Sequence, residues 1–325
     1  MATQLNDWLS IDKISGTGNA EITLTASSYE ELVDRATSLK IQGISANAIL
    51  NVRQKAYSLN EEELKQQYFW VEFEQAGGTI SGLTNQYTDM YHSFNGSTWE
   101  TTPNTLSMGD KTLVYFRNDS KKIADNNQLN IIFNSNAKVG GDISSLTDMA
   151  KSCCYGLFRN NTYITDASKL ILPWDTLANG CFYIMFDGCT NLTTVPELPA
   201  TTLAESCYSH MFQGCSSLTT APVLPATTLA EYCYAAMFNG CKNLTTAPVL
   251  PATTLAERCY QYMFGGCKNL KYIKMLATSI SASYCLNKWV DGVSSTGTFI
   301  KHPDANLKTG TSGIPSGWTV ETATS

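Results

Sequence analysis

From Leu172 onward, apolar and polar positions recur at an offset of 26 residues. Four units start at Leu172, Leu198, Leu224 and Leu250, and proline follows in each (Pro173, Pro199, Pro225, Pro251). Gly188, Gly214, Gly240 and Gly266 fall into register, as do the pairs Cys181/Cys189, Cys207/Cys215, Cys233/Cys241 and Cys259/Cys267. A looser unit precedes them, with Cys153 and Phe158 matching Cys181 and Phe186. A partial unit follows, carrying Cys285, Trp289 and Gly292. Self-similarity at a fixed period of this length predicts stacked repeats, in which neighbours bury one another's apolar faces.

Each unit reads as helix, turn and short strand. Thr228 and Glu231 form a Thr-x-x-Glu capping box, which predicts a helix from about Leu229; Thr202/Glu205 and Thr254/Glu257 repeat it. Leu229, Ala230, Cys233, Tyr234, Met237 and Phe238 would cover one side of that helix, and Gly240 would end it. The stretch "LTTAPV" fits the L-x-x-L-x-L phrase of a leucine-rich repeat, with Leu244, Ala247 and Val249 inward and Thr246 and Pro248 outward. The units differ at three positions: Ser206/Tyr232/Arg258, Ser209/Ala235/Gln261 and His210/Ala236/Tyr262. Helical spacing puts these on the face away from the core, as a tolerant solvent surface or a place to meet a partner.

Ahead of the repeats the pattern changes to period two. "AEITLTA", with Ile22, Leu24 and Ala26 on one side, then "SLKIQG" and "AILNVRQ", predict a small β domain over 1–55. Residues 56–67 are polar and charged, a linker or short helix. A second β-rich run over 68–142 reads as another small sandwich, with a two-residue hairpin expected at Asn95-Gly96. Residues 143–293 hold the repeats and 294–325 a C-terminal cap. The predicted class is two small all-β sandwiches followed by an α/β leucine-rich-repeat solenoid.

Charge narrows the partners. With 22 Lys and Arg against 28 Asp and Glu, the net charge of −6 argues against a nucleic-acid backbone as ligand. No segment approaches the roughly 20 apolar residues of a membrane span, so no membrane insertion is expected. The first residues carry neither a basic nor an apolar stretch of the kind that addresses a chain for secretion.

The 11 cysteines are the most conspicuous candidate chemistry. Two cysteines eight apart on a helix would lie about 12 Å from one another, beyond the roughly 7 Å that a disulfide spans. The spacing does not match a zinc site, and histidine is scarce. They are read as buried thiols that pack like small hydrophobes. No nucleophile, metal or cofactor motif emerges, so the chain reads as a non-enzyme without cofactors. Candidate ligand contacts are Tyr272 and Lys274, which replace the Thr/Pro pair of earlier units, and Trp99 and Tyr91 of the second β run, either of which can stack on a sugar ring.

Two family resemblances add to this. Trp8-Leu9-Ser10, Gly16 and Gly18, Arg35 leading into Leu39-Lys40-Ile41, and Val52-Arg53-Gln54 resemble the BACON domain, an immunoglobulin-like sandwich found in proteins of gut Bacteroidetes and their phages. That likeness implies carbohydrate binding or a spacer role. The "MFxGCxxL" phrase resembles the BspA-like leucine-rich repeats of surface adhesins and phage structural proteins. "GVSSTGTFIKHPD" and "GTSGIPSGWTV" look like the cap of such arrays, with Trp289 and Trp318 sealing the last unit.

Together these imply a non-enzymatic phage virion protein, a head or tail fibre or decoration protein assembled in the host cytoplasm. Its partners would be a host-surface glycan or protein receptor and other virion proteins, in a homo-oligomer that is a trimer if the protein is a fibre. The alternative is a bacterial cell-surface adhesin or carbohydrate-binding protein.

Overall fold

A computed structural model describes the backbone at residues 3–6, 9–11, 24–26, 35–42 and 47–54, and backbone with side chains at 59–84, 89–120 and 129–323. The chain divides into two compact units, Met1–Asn60 and Glu61–Ser325. In the first, β1 (Thr3–Asn6), β2 (Leu9–Ile11) and β3 (Leu24–Ala26) form an antiparallel sheet in that order. β4 (Arg35–Gln42) and β5 (Asn47–Gln54) pair antiparallel over their whole length, from Arg35 opposite Gln54 to Gln42 opposite Asn47. These two strands contain "SLKIQ" and "AILNVRQ". The inward face expected of Ile22, Leu24 and Ala26, and the positions Trp8, Gly16 and Gly18, lie outside what is described.

The second unit opens with α1 (Glu61–Gln67), whose first turn holds Glu61, Glu62 and Glu63, acids that favour a helix N-terminus. Then come β6 (Phe69–Phe73), β7 (Thr79–Ser81), β8 (Met90–Ser93), β9 (Glu100–Thr101), β10 (Thr105–Ser107), β11 (Leu113–Asn118), β12 (Ile132–Phe133) and β13 (Ala137–Asp142). β14 (Ile164–Ile171) follows, and β15 (Tyr272–Met275), β16 (Thr298–Lys301) and β17 (Thr319–Thr322) lie at the far end. The main sheet has the order β14-β13-β6-β11-β8-β9; β13 pairs in parallel with β14. β6, β8, β9, β11 and β13 therefore share a sheet with the chain that enters the repeats, while β10, β7 and β12 form a separate three-stranded sheet in that order. One continuous set of buried residues runs from Phe69 through the repeats to Trp318.

The hairpin expected at Asn95-Gly96 is wider than two residues. β8 and β9 pair as Tyr91 with Thr101 and His92 with Glu100, leaving 94–99 as the connection. The Asn95 side chain organises it, accepting N–H bonds from Ser97 and Thr98, both at 2.9 Å.

The α/β leucine-rich-repeat solenoid is overturned. Among the described residues α1 is the only α-helix, and the repeat units consist of turns joined by isolated bridges. Where a helix was expected, every fourth residue is left-handed: Ser206, His210 and Gly214 in one unit (φ 56, 58 and 71), Tyr232, Ala236 and Gly240 in the next (φ 55, 50 and 77). The chain bends back at each. Alternate N–H groups bond locally, as Cys207 to Ala204 O (3.3 Å) and Ser209 to Ser206 O (3.2 Å). The others reach the next unit: Ser206 to Glu231 O (3.0 Å), Tyr208 to Cys233 O (3.0 Å), His210 to Ala235 O (2.8 Å), Phe212 to Met237 O (3.0 Å). Thr202, expected to cap a helix with its side chain, instead accepts the Leu177 N–H on its carbonyl at 3.0 Å.

Spacing explains the preference. Packed helices lie about 8–10 Å apart, whereas units tied by backbone bonds approach to roughly 5 Å. Only the closer spacing lets aromatic rings stack unit on unit. One ladder runs Phe182–Tyr208–Tyr234–Tyr260 with centroids 5.6, 5.8 and 6.1 Å apart. A second runs Phe158–Phe186–Phe212–Phe238–Phe264 at 5.2, 5.6, 5.8 and 5.9 Å. Trp289 closes both, at 6.4 Å from Tyr260 and 6.0 Å from Phe264. Burying each such ring contributes about 2–3 kcal/mol. Left-handed conformations at non-glycine residues cost about 1–2 kcal/mol each, and the ladders and inter-unit bonds offset that.

The strand phrase is also altered. Leu244 and Ala247 are buried as expected, but Val249 is exposed and Pro248 is buried, the reverse of the predicted alternation. Proline brings no N–H to a ladder, so units with the "LTTAPV" phrase join by single bridges such as Thr220 with Thr246, and the segment there never becomes a full strand. The variable positions are not a uniformly outward face. Ser209, Ala235 and Ala236 are buried, Tyr262 is exposed, and His210 is half-buried with burial pushing its imidazole pKa down.

All 11 cysteines are buried with free thiols. The second of each pair donates back to the preceding unit: Cys189 to Phe158 O (3.1 Å), Cys215 to Phe186 O (3.2 Å), Cys241 to Phe212 O (3.1 Å), Cys267 to Phe238 O (3.0 Å). Burial pushes the Cys207, Cys259 and Cys267 thiols up to about 12.

Candidate functional groove

Within each "LTT" phrase the leucine turns inward (Leu192, Leu218 and Leu244 at 0% exposure) and both threonines turn to solvent. Stacking converts that local pattern into columns. Asp166 bridges Thr194, Thr220 bridges Thr246, and Thr246 bridges Tyr272, all in parallel. Tyr272 continues to Thr298 and Thr298 to Thr319 across β15, β16 and β17. A face of hydroxyls thus extends along one side of the stack.

A concavity of about 620 Å³ lies on this face, lined by Thr193, Thr194, Thr219 and Thr220, the prolines Pro196, Pro199, Pro222 and Pro225, and by Val223 and Glu197. Val223 is 78% exposed, so an apolar methyl pair stands beside the hydroxyls. A second concavity of about 570 Å³ is lined by Trp70, Lys65, Glu72, Lys138, Asp166, Lys169 and Glu197. The two share Ser168, Glu197 and Pro199 in their walls and so adjoin, and together they are called the groove.

The charged half is built by contacts distant in sequence. Trp70 on β6 packs against Gly140 on β13; a Cβ there would come within 2.1 Å of the indole, so only glycine admits the ring. The Trp70 indole N–H donates to Lys65 O at 3.1 Å. The Lys65 ammonium lies 5.3 Å from the Trp70 ring, 3.0 Å from Glu61 and 3.6 Å from Glu72. Burial alone would lower its pKa, but the two carboxylates outweigh it and raise it. Asp166 accepts from the Thr194 hydroxyl and from Ser168 N–H at 2.7 Å. Burial pushes its carboxyl up, and these hydrogen bonds more than reverse that, holding it low and ionised.

The groove therefore presents hydroxyls, both signs of charge and proline and valine surface. Such a set suits an extended, polyhydroxylated ligand that needs many weak polar contacts over an apolar floor. Among the described residues no group of three or more His, Cys, Asp or Glu is placed to hold a metal ion.

The four contacts expected from the sequence lie elsewhere. Tyr272 and Lys274 are half-buried on β15, two residues apart on the outward face, and do not line either concavity. Tyr91 and Trp99 are brought together around Arg117, whose guanidinium lies 5.2 Å from the Tyr91 ring and 4.8 Å from the Trp99 ring. Tyr68 packs on Trp99 at 4.8 Å, and Arg117 Nε lies 3.3 Å from Asp119. Tyr87, a further aromatic of the second β run that could face a sugar, falls outside the described residues.

Sequence reasoning missed the groove residues themselves. The doubled threonine held at the 26-residue offset was a usable signal for the neutral half. Lys65, Glu72, Lys138, Asp166 and Lys169 carry no shared local pattern, because α1, β6, β13 and β14 meet only in the fold. No protein-family model, curated protein or solved structure matches the chain.

Proposed function

We propose that this chain is a non-enzymatic phage virion protein, a head or tail fibre or decoration protein, that holds an extended host-surface glycan in the threonine groove. The observation that carries the reading is that two concavities adjoin along a face where hydroxyls repeat at the spacing of the stack. Polysaccharide chains are themselves linear repeats of hydroxyl-bearing rings. A rigid column of hydroxyls meets them without a loop having to order on binding. Prolines and valines beside the threonines offer surface to the C–H faces of the sugars, and the exposed Lys138 and Lys169 can meet acidic substituents.

Virion placement rests on the resemblance of the repeats and of the first 55 residues to modules used by phages of gut Bacteroidetes. Immunogold labelling of purified particles tests that part; particles free of the chain defeat it. Glycan binding is tested on an array of bacterial surface polysaccharides with the wild type and a Thr194→Arg/Thr220→Arg variant. Both positions are exposed, so the variant is expected to fold. At least one polysaccharide should bind, and the variant should lose at least tenfold in affinity. Binding that is absent, or untouched by the substitutions, overturns the proposal.

A further inference from the structure

A smaller hollow of about 290 Å³ lies elsewhere on the stack, bordered by Ser152, Gly180, Ser206, Tyr155, Tyr183, Lys151, Asn179 and Glu205. Its origin is visible when the units are compared. One left-handed position is occupied in succession by Ser152, Gly180, Ser206, Tyr232, Arg258 and Tyr284. The position three residues on carries Tyr155, Tyr183, Ser209, Ala235 and Gln261. In the second half of the stack the first column is large and the second holds no aromatic ring, and Arg258 lies between Tyr232 (5.2 Å) and Tyr284 (5.1 Å). In the first two units the sizes are exchanged, Ser152 with Tyr155 and Gly180 with Tyr183, and in the third both positions are serine. Ser152, Gly180 and Ser206 leave a recess, and two phenol rings stand over it.

We infer that this recess is a separate saccharide subsite that takes a single neutral sugar ring. Tyr155 and Tyr183 lie 5.0 Å apart with planes inclined by 34°, in contact with one another. Nothing enters between them, so a ligand lies across their combined surface. That geometry differs from the Tyr–Arg–Tyr sandwich farther along, whose guanidinium also meets two carboxylates at one nitrogen, Nη1, with Glu231 at 3.6 Å and Glu257 closer. Here Lys151 and Glu205 occupy the same position two layers apart, with Asn179 in the layer between, so the border carries both signs of charge, which disfavours a net charge on the ligand. Lys151, Asn179, Glu205 and the two serines supply donors and acceptors around an aromatic wall, the arrangement that fixes a polyol in one orientation. The volume sits at the lower end of small-molecule sites and suits one ring. The site is distinct from the groove and shares with it only the ligand class.

Saturation-transfer NMR on the full chain with glucose, galactose, mannose and N-acetylglucosamine, each alone, tests this. At least one sugar should receive saturation. Ser206→Tyr should weaken it at least tenfold by filling the recess. That variant is expected to fold, because Tyr232 already occupies the matching position at φ 55 against 56 for Ser206. Tyr183→Ala should weaken it about tenfold through loss of one wall. The Thr194→Arg/Thr220→Arg variant should leave the monosaccharide signal intact, which separates failure of this site from failure of the groove. The inference falls if no sugar binds, if binding survives Ser206→Tyr, or if methylguanidinium binds there in place of the sugars.

Discussion

Tyr234 shows how strictly the ladders constrain single side chains. Its ring is stacked between Tyr208 and Tyr260, and its hydroxyl is buried without a hydrogen-bond partner. An unpaired buried hydroxyl costs about 1–3 kcal/mol, and the same column already accepts phenylalanine at Phe182. Tyr234→Phe is therefore expected to raise stability by about 1 kcal/mol in urea unfolding. A loss of stability would mean that the hydroxyl does find a partner. The cysteines belong to the same scale. Their burial was legible from their place among the apolar residues of each unit. The direction of their S–H bonds was not, because it depends on which carbonyl of the neighbouring unit lies opposite.

At the scale of the repeating element, the period, the buried leucines and the paired cysteines could be read directly from the chain, and the helix could not. Thr-x-x-Glu followed by apolar residues satisfies helical rules as well as it satisfies the turns. The contrary signal was glycine. Gly156 and Gly180 occupy positions that other units fill with Tyr262 or Arg258, and a residue that can be either glycine or bulky in mid-helix has no helical rationale. A left-handed position explains it. Ser206→Gly is the discriminating substitution. In a helix interior it would cost a few tenths of a kcal/mol to about 1 kcal/mol; here, relief of left-handed strain should leave stability unchanged or raise it by up to about 1 kcal/mol. Thermal unfolding followed by calorimetry checks the sign.

For the whole second unit, the sequence pointed to a β-rich start and a repeat array but suggested a boundary near residue 142. The structure instead joins β13 to β14 and runs one core from Phe69 to Trp318. Phe69 lies 5.9 Å from Phe158, where the longer ladder begins, so the first sheet closes one end of the stack while Trp289, packed edge-on to Phe299 at 6.1 Å, closes the other. The neutral half of the groove was foreshadowed by repetition. Its charged half was hidden because α1, β6, β13 and β14 are far apart in the chain.

The alternation of bonds within and between units has a consequence for how such a molecule changes its size. Each layer offers its predecessor the same set of carbonyl acceptors that its own N–H groups meet in its successor, so layers are interchangeable spacers between two fixed end-pieces. A spliced-in duplicate of residues 224–249 should fold, lengthen the particle by about 5 Å in small-angle scattering, and increase the urea m-value. An aggregated or shortened product would show that the layers are individually keyed. If the duplicate is accepted, unequal recombination between near-identical stretches of the gene becomes a ready route to longer or shorter reach.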